Sequence, residues 1–255
     1  MNLFDVVLYQ PLFNILMVFY QYLPGRDFGV AVIALTVLIR ILLYPLVAES
    51  IRVQKITARI QPKVKEIQEK YKNDKEKQAT LMMELWREHK INPLSSFLFL
   101  LIQLPILWAL YQVFWNGFKD GALDRLYKFV PNPGTIDPMF LGVVNLSQSY
   151  PVFAIVAGIL QYIQVKMMMP KVDTDKKEKT QTEQFAAMMQ TQSLYVFPAI
   201  TVLIFWGLPS ALGLYWIVTS IFSIAQQYFI LKDNSSGNGQ GAPAAVSAAG
   251  SPSKL

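Results

Sequence analysis

The sequence has no cysteine, which excludes disulfides, thiolate nucleophiles and cysteine-ligated metal sites. Its single histidine, His89, stands between Glu88 and Lys90, and a lone histidine in a charged segment is typical of a solvated surface residue. It also has no glycine-rich phosphate-binding loop. We therefore expect no metal site and no cofactor.

Charge is scarce as well. Only 16% of the 255 residues are charged, and 53% are hydrophobic, whereas about a quarter of the residues of a soluble domain are charged. This composition predicts a membrane protein. The net charge of +6 could suggest nucleic acid, but the cations lie in loops between apolar runs, so no nucleic-acid sequence is expected as a partner.

Long apolar runs, by contrast, are abundant. About 20 apolar residues in a helix cover the hydrocarbon core of about 30 Å. Such runs predict five transmembrane helices, at residues 28–48, 94–116, 150–169, 191–207 and 211–231. Only Leu208, Pro209 and Ser210 separate the last two runs, so these two form a helical hairpin. The predicted fold class is an all-α integral membrane protein.

The N-terminal region, residues 1–27, is apolar but interrupted by polar side chains. Its run at residues 8–23 contains Gln10, Asn14 and Gln21 and has no basic region or cleavage site of a secretory signal. We interpret it as an amphipathic helix in the outer membrane interface, with a sixth span as the alternative.

The distribution of lysine and arginine predicts the orientation, because cytoplasmic loops are enriched in them. Eleven lie between Glu49 and Pro93 and five between Lys166 and Gln184, against three in residues 117–149 and one in residues 1–27. The basic segment 49–93 and the loop 170–190 are therefore predicted to be cytoplasmic. The loop 117–149 and the N-terminus are predicted to face outward, and the C-terminus inward.

The basic segment 49–93 has apolar residues at intervals of three and four, which predict a helix up to Tyr71, a turn at Asn73-Asp74 and a second helix. We interpret it as a helical hairpin that projects into the cytoplasm, the alternative being a solvated linker. The tail, residues 232–255, is rich in Gly, Ser, Ala and Pro and is predicted to be disordered.

Arg40 is the thirteenth of the 21 residues in the first apolar run. A charge at the bilayer centre costs about 2.5–3.5 kcal/mol on insertion scales. Arg40 either snorkels to the headgroups or faces a polar cavity, and we favour the cavity. Thr36 lies one helical turn earlier on the same face. Further polar residues occur within the later spans, namely Gln103, Gln161, Gln164, Ser220 and Ser223.

No Asp or Glu lies deep in any predicted span, so Arg40 has no obvious carboxylate partner. Ion-coupled transporters usually need a membrane-embedded acid, and no inverted repeat is evident, which disfavours a small-solute transporter or channel. An unpaired cation in a polar groove would instead attract an acidic or polar segment of a passing chain.

Six sequence motifs follow one another along the chain. They are LIRILLYPL (38–46), QPKVKEIQEKY (61–71), KINPL (90–94), LIQLPILWALY (101–111), LPSALGLYWIVTS (208–220) and QQYFI (226–230). In this order they closely resemble the YidC/Oxa family of membrane protein insertases in its bacterial form, and the resemblance covers roughly residues 8–231.

The resemblance implies five helices around a hydrophilic groove that is open to the cytoplasm and to lipid and closed on the outer side. The residues that match the family's groove positions are Arg40, Thr36, Gln103, Gln161, Tyr215 and Trp216. Many relatives have a second tyrosine in place of Trp216. At Gln161 some relatives carry an apolar residue. Leu208 and Ala211 replace a common Phe and Gly around the Pro-Ser turn.

The function that the resemblance implies is insertion and assisted folding of nascent membrane proteins in the bacterial plasma membrane. The expected partners are nascent clients and the lipid bilayer, with the Sec translocon and the ribosome as further candidates. The chain resembles a short form without the large periplasmic domain, and its tail lacks the basic extension that helps some members bind ribosomes. The alternatives are a small-solute transporter and an assembly scaffold that binds clients without translocating them.

Overall fold

The computed structural model describes residues 3–92, 95–119, 121–169, 188 and 191–236. Most of these residues are helical, as expected for an all-α protein. The helices are α1 (Gln10–Tyr22, continuing a π-helical turn at Asp5–Tyr9), α2 (Phe28–Leu42), α3 (Tyr44–Lys70), α4 (Lys75–Glu88), α5 (Ser95–Asn116), α6 (Pro151–Met168), α7 (Phe197–Trp206, after a π-helical turn at Gln192–Val196) and α8 (Ser210–Ser236).

Two short antiparallel strands lie between α5 and α6, β1 (Met139–Phe140) and β2 (Val144–Asn145), with Met139 opposite Asn145. The sequence did not predict them. α8 extends to Ser236, beyond the predicted end of the last span at residue 231. The predicted loop at residues 170–190 lies outside the described residues except at Met188. Of the tail predicted to be disordered, residues 232–236 are helical in α8, and the part from residue 237 onward lies outside the described residues.

The first apolar run, residues 28–48, forms two helices instead of one. Asp27 begins α2 by accepting a hydrogen bond from the Val30 N–H at 2.9 Å. α2 ends at Leu42, and α3 leaves it at a bend of 64°. Pro45, the second residue of α3, explains the break, because proline lacks the N–H that would continue the hydrogen bonds of α2 and its ring clashes with the preceding turn. Arg40 consequently lies in the last turn of α2.

By length and hydropathy, α6 is the one helix within the described residues that could cross a bilayer by itself. The bent pair of α2 and α3 passes the same criterion when taken together, and the segment Gln192–Trp206 is apolar but shorter. The five-span arrangement therefore stays a prediction. Many large apolar side chains are nevertheless exposed on the later helices, including Trp108, Ile159, Leu203, Ile221 and Phe229, as expected for a surface that faces lipid.

α1 packs into the main hydrophobic core with one face. Its buried residues recur at intervals of three and four, and the core joins them to α2, α5 and α8 around the ring of Phe28. The buried side chains that α1 contributes are Phe13, Leu16, Met17 and Tyr20. Whether this helix also lies in a membrane interface stays a prediction.

The polar residues of α1 bind the segment that follows α5. Asn14 is 2% exposed; its Nδ2 donates to the Arg125 carbonyl at 3.2 Å, and its Oδ1 accepts from the Tyr127 N–H at 2.7 Å. Gln10 also donates to the Arg125 carbonyl, and Gln21 donates to the Pro131 carbonyl. These side chains, which suggested an amphipathic helix, thus satisfy loop carbonyls and amides that would otherwise lack partners.

The segment between α5 and α6 covers one end of the helix bundle. The Ser210 and Ala211 N–H groups at the start of α8 donate to the carbonyls of Gln148 and Leu146, at 2.8 and 3.1 Å. Phe140 of β1 packs so closely against Gly29 that an added Cβ would overlap the Phe140 ring. Glycine is therefore needed at the first turn of α2 for the strand to approach.

α3 and α4 form the helical hairpin that follows the bend. Val53, Ile60, Val64 and Leu85 are the buried centre of a separate small core. Asp74 begins α4 by accepting a hydrogen bond from the Lys77 N–H at 3.0 Å. Pro62 lies inside α3 and does not end it.

Candidate functional site

Arg40 is a buried cation without a carboxylate partner among the described residues. Its side chain is 3% exposed, and its Nη1 atom is buried without a hydrogen-bond acceptor in that part of the chain. The position in the last turn of α2 is favourable for a cation, because the helix dipole is negative at its C-terminal end. The dipole does not replace an acceptor for Nη1, so a hydrogen-bonding group that enters from outside would stabilise Arg40.

Gln103 and Tyr215 join α5 to α8 beside this cation. The Gln103 Nε2 donates to the Tyr215 hydroxyl at 2.8 Å, and the two residues are 7% and 1% exposed. Tyr215 is close enough to Arg40 for an electrostatic interaction with its guanidinium group. Three helices therefore bring a cation, an amide and a phenol together in one buried polar cluster, which we name the Arg40 cluster.

Thr36 lies one turn before Arg40 and is 1% exposed. Its hydroxyl donates to the Val32 carbonyl of its own helix at 2.6 Å, so its proton is already used and its oxygen can serve as an acceptor. Gln161 is half-buried on α6. Within the described residues, no hydrogen bond joins Gln161 to the Arg40 cluster.

Trp216 points in a different direction from Tyr215, because successive helical residues are about 100° apart. Its half-buried ring packs against Phe205 of α7, with a distance of 5.3 Å between ring centroids. Its Nε1 donor is buried and has no acceptor in the described part of the chain. The two adjacent aromatic residues therefore contact different helices, since Tyr215 meets Gln103 of α5 and Trp216 meets Phe205 of α7.

α8 carries further buried polar residues that the sequence reasoning did not single out. Thr219, Gln226 and Gln227 are 5%, 3% and 4% exposed, and each has a buried oxygen without a donor among the described residues. The predicted Ser220 and Ser223 are also buried on α8. The signal was present in the sequence, because intervals of four and seven residues from Tyr215 to Thr219 to Gln226 define one helical face.

Gln226 also connects α8 to the bend between α2 and α3. Its Nε2 donates to the Tyr44 carbonyl at 3.1 Å. Ile230, one turn further along α8, packs with Val47 and Ile51 of α3. These contacts hold the bend, and with it the last turn of α2 that carries Arg40, against α8.

Comparison with known proteins gives consistent matches over most of the chain. A family model described as "60Kd inner membrane protein" matches residues 18–237. The chain is 33% identical over 206 residues to a "Membrane protein insertase YidC" of Fusobacterium nucleatum subsp. nucleatum, covering 81% of this chain and 87% of that relative.

Two proteins with the same name are longer. A relative from Syntrophobacter fumaroxidans is 33% identical over 222 residues, covering 87% of this chain and 37% of its own length. One from Wolinella succinogenes is 34% identical over 238 residues, covering 91% of this chain and 39% of its own length. The chain thus spans well under half of these longer relatives.

Proposed function

The chain belongs to the 60Kd inner membrane protein family, the YidC/Oxa family that its motifs predicted, and on that premise we propose that it is a membrane protein insertase. In this proposal it inserts nascent membrane proteins into the bacterial plasma membrane and helps them fold. Relatives named as insertases, one of them covered over 87% of its length, support the general function. The observation that carries the mechanism is the buried Arg40, whose Nη1 has no acceptor among the described residues, beside Gln103 and Tyr215.

The proposed topology has five spans around a groove, with the N-terminus outside and the C-terminus in the cytoplasm. α2, α5, α6, α7 and α8 would be the spans, and α1 would lie at the outer interface. The exposed apolar side chains of α5 to α8 support this arrangement. The segment that covers the start of α8 supports closure of the groove on its outer side.

The proposed mechanism lowers the cost of moving a polar tail into the bilayer. A client tail enters from the cytoplasmic side, and the Arg40 cluster replaces some of the water that the tail loses. Acidic tails gain further from Arg40. The apolar helix of the client then partitions into lipid beside α6 and α8. That partitioning drives the step, assisted by the membrane potential, without ATP.

Within this mechanism, Thr36, Gln161 and Trp216 are proposed to line the same groove. The unpartnered Nε1 of Trp216 and the free acceptor capacity of Thr36 support a role in binding polar tails. The basic hairpin of α3 and α4 is the proposed contact for a ribosome or for the Sec translocon.

The direct test is insertion of a small single-span client into liposomes that contain only the purified chain. We expect a client with an acidic outer tail to become protease-protected inside the vesicle. Arg40→Ala should slow its insertion, and Arg40→Lys, which keeps the charge, should largely preserve it. Wild-type rates for both variants would eliminate Arg40 as the working group.

The same assay separates the proposed function from an assembly scaffold. A scaffold would bind the client, detectable by cross-linking to Tyr215→Cys, and would leave the tail accessible to protease. Binding without translocation would therefore contradict the insertase proposal.

A further inference from the structure

Buried polar atoms without a hydrogen-bond partner are concentrated on one helix of the described structure. Four of the five lie on α8, and the fifth is the Arg40 Nη1 on α2, which packs against α8. Natural proteins leave few buried polar groups unsatisfied, so a cluster of them indicates a surface that binds something else. The four atoms on α8 are Trp216 Nε1, Thr219 Oγ1, Gln226 Oε1 and Gln227 Oε1.

Donors and acceptors are separated along this helix. The unpartnered donor of Trp216 lies in the N-terminal half of α8, and the acceptor oxygens of Gln226 and Gln227 lie in its C-terminal half. The Arg40 guanidinium, on α2, lies near Tyr215. Ten residues separate Trp216 from Gln226, which corresponds to about 15 Å along a helix. Thr219 lies between the two groups, within about 40° of Tyr215 around the helix axis.

The acceptor end is held in position. Because the Gln226 Nε2 is bound to the Tyr44 carbonyl at 3.1 Å, its Oε1 is directed away from that carbonyl. The amide therefore presents an oriented acceptor without further ordering of the side chain, which favours binding. The acceptors are neutral and spread along the helix, so they do not form a cation site, which requires several charged or carbonyl oxygens around one point.

We propose that the C-terminal half of α8 is a second binding subsite of the groove, specific for hydrogen-bond donors of an extended client segment. Thr219, Gln226 and Gln227 accept from backbone N–H groups or from basic and amide side chains. The acidic or carbonyl groups of the same segment meet Arg40 and Trp216. An extended chain rises about 3.3 Å per residue, so about four or five residues span the two ends. This inference rests on the proposed insertase function.

The second subsite predicts that the rate of insertion depends on the order of acidic and basic residues along the client tail. The test uses two single-span clients whose tails carry an Asp at the same position. Five residues from that Asp, toward the cytoplasmic end of the tail, one client has Lys and the other has Asp. In liposomes containing the full chain, wild type should insert the Lys client faster. Gln227→Glu should increase that preference by about fivefold, because hydrogen bonds to charged groups are stronger. The isosteric Gln227→Met, which leaves the Gln226–Tyr44 bond in place, should reduce it, as should Thr219→Val.

The matched control is Thr201→Val, because Thr201 is a buried polar residue of α7 whose hydroxyl donates within its own helix to the Phe197 carbonyl at 3.0 Å. Thr201→Val should leave unchanged the ratio of the two insertion rates, Lys client to Asp client. The chain has no cysteine, so Gln227→Cys and Trp216→Cys can each be cross-linked to single cysteines in the client. The positions captured at the two sites should differ by four or five residues.

Two failures are distinguishable. If wild type inserts neither client, the proposed function itself is wrong. Wild type could instead insert both clients at the same rate, with the Gln227 and Thr219 variants also showing equal rates. In that case the insertase proposal stands and the second subsite is overturned. Identical cross-linking positions at residues 216 and 227 would overturn it independently.

Discussion

Replacement of Arg40 by Met should stabilise the folded protein while slowing insertion of acidic tails. Met has a similar reach and no charge. An arginine at the centre of a spanning helix costs about 2.5–3.5 kcal/mol on insertion scales, and Arg40, in the last turn of α2, costs less than that. Arg40 is 3% exposed and leaves Nη1 without an acceptor in the described structure, but the negative end of the α2 dipole offsets part of the cost. We therefore expect a gain of about 1–2 kcal/mol, which is smaller than the insertion value.

The measurement is thermal unfolding of the purified protein in lipid nanodiscs, followed by tryptophan fluorescence. For a chain of this size, about 1 kcal/mol corresponds to roughly 2–4 °C, so Tm should rise by about 2–8 °C. The control is Arg52→Met on α3, where the arginine is exposed and only 3.9 Å from Glu49. That substitution should change stability by less than about 0.5 kcal/mol.

A fall in Tm for Arg40→Met would refute the reasoning. It would mean that groups inside the protein compensate the Arg40 charge more than its burial costs, as in a satisfied polar network. Arg40 would then be structural, and the view that it waits for a visiting chain would lose its physical basis. An unchanged Tm would contradict the predicted gain as well.

Other predictions concern side chains that link distant parts of the chain. Tyr215→Phe and Gln103→Leu should each destabilise the protein by about 0.6–1.7 kcal/mol, because both remove the same hydrogen bond. A double-mutant cycle should therefore give a coupling energy close to either single effect. Additive effects would exclude that hydrogen bond. Asn14→Leu should destabilise the protein by about 1–3 kcal/mol in chemical unfolding, because it leaves the part-buried Tyr127 amide without its acceptor. Asn14→Asp, which keeps that acceptor, should cost less. Gly29→Leu should lower Tm and increase protease cleavage between α5 and α6, because its side chain would displace Phe140; a resistant, fully stable variant would contradict the packing described above.

The sequence by itself determined the features that depend on local pattern. Composition and apolar runs predicted a helical protein, and three- and four-residue intervals predicted the stripes of the basic hairpin, because helix geometry places such residues on one face. The ordered motifs predicted the family, which the comparisons confirm. The sequence also revealed that Arg40 has no acid within the spans, since that follows from counting residue types.

The tertiary structure decided where the polar residues point and what they meet. Gln103 and Tyr215 are 112 residues apart in sequence and yet hydrogen-bonded, and nothing in either local pattern predicts a partner at that distance. The polar residues of α1 bind loop carbonyls and amides, although their periodicity equally fitted a helix on a membrane surface.

The bend at Pro45 is another feature for which the sequence contained a signal but the tertiary structure decided the outcome. The sequence contained the proline, but a run of 21 apolar residues was interpreted as a single span, because prolines are also tolerated inside helices, as Pro62 and Pro105 are here. The structure shows that Pro45 begins a second helix, and the packing of α8 through Gln226 and Ile230 holds the bend in place. The bend places Arg40 at a helix end, where the dipole of α2 stabilises the cation.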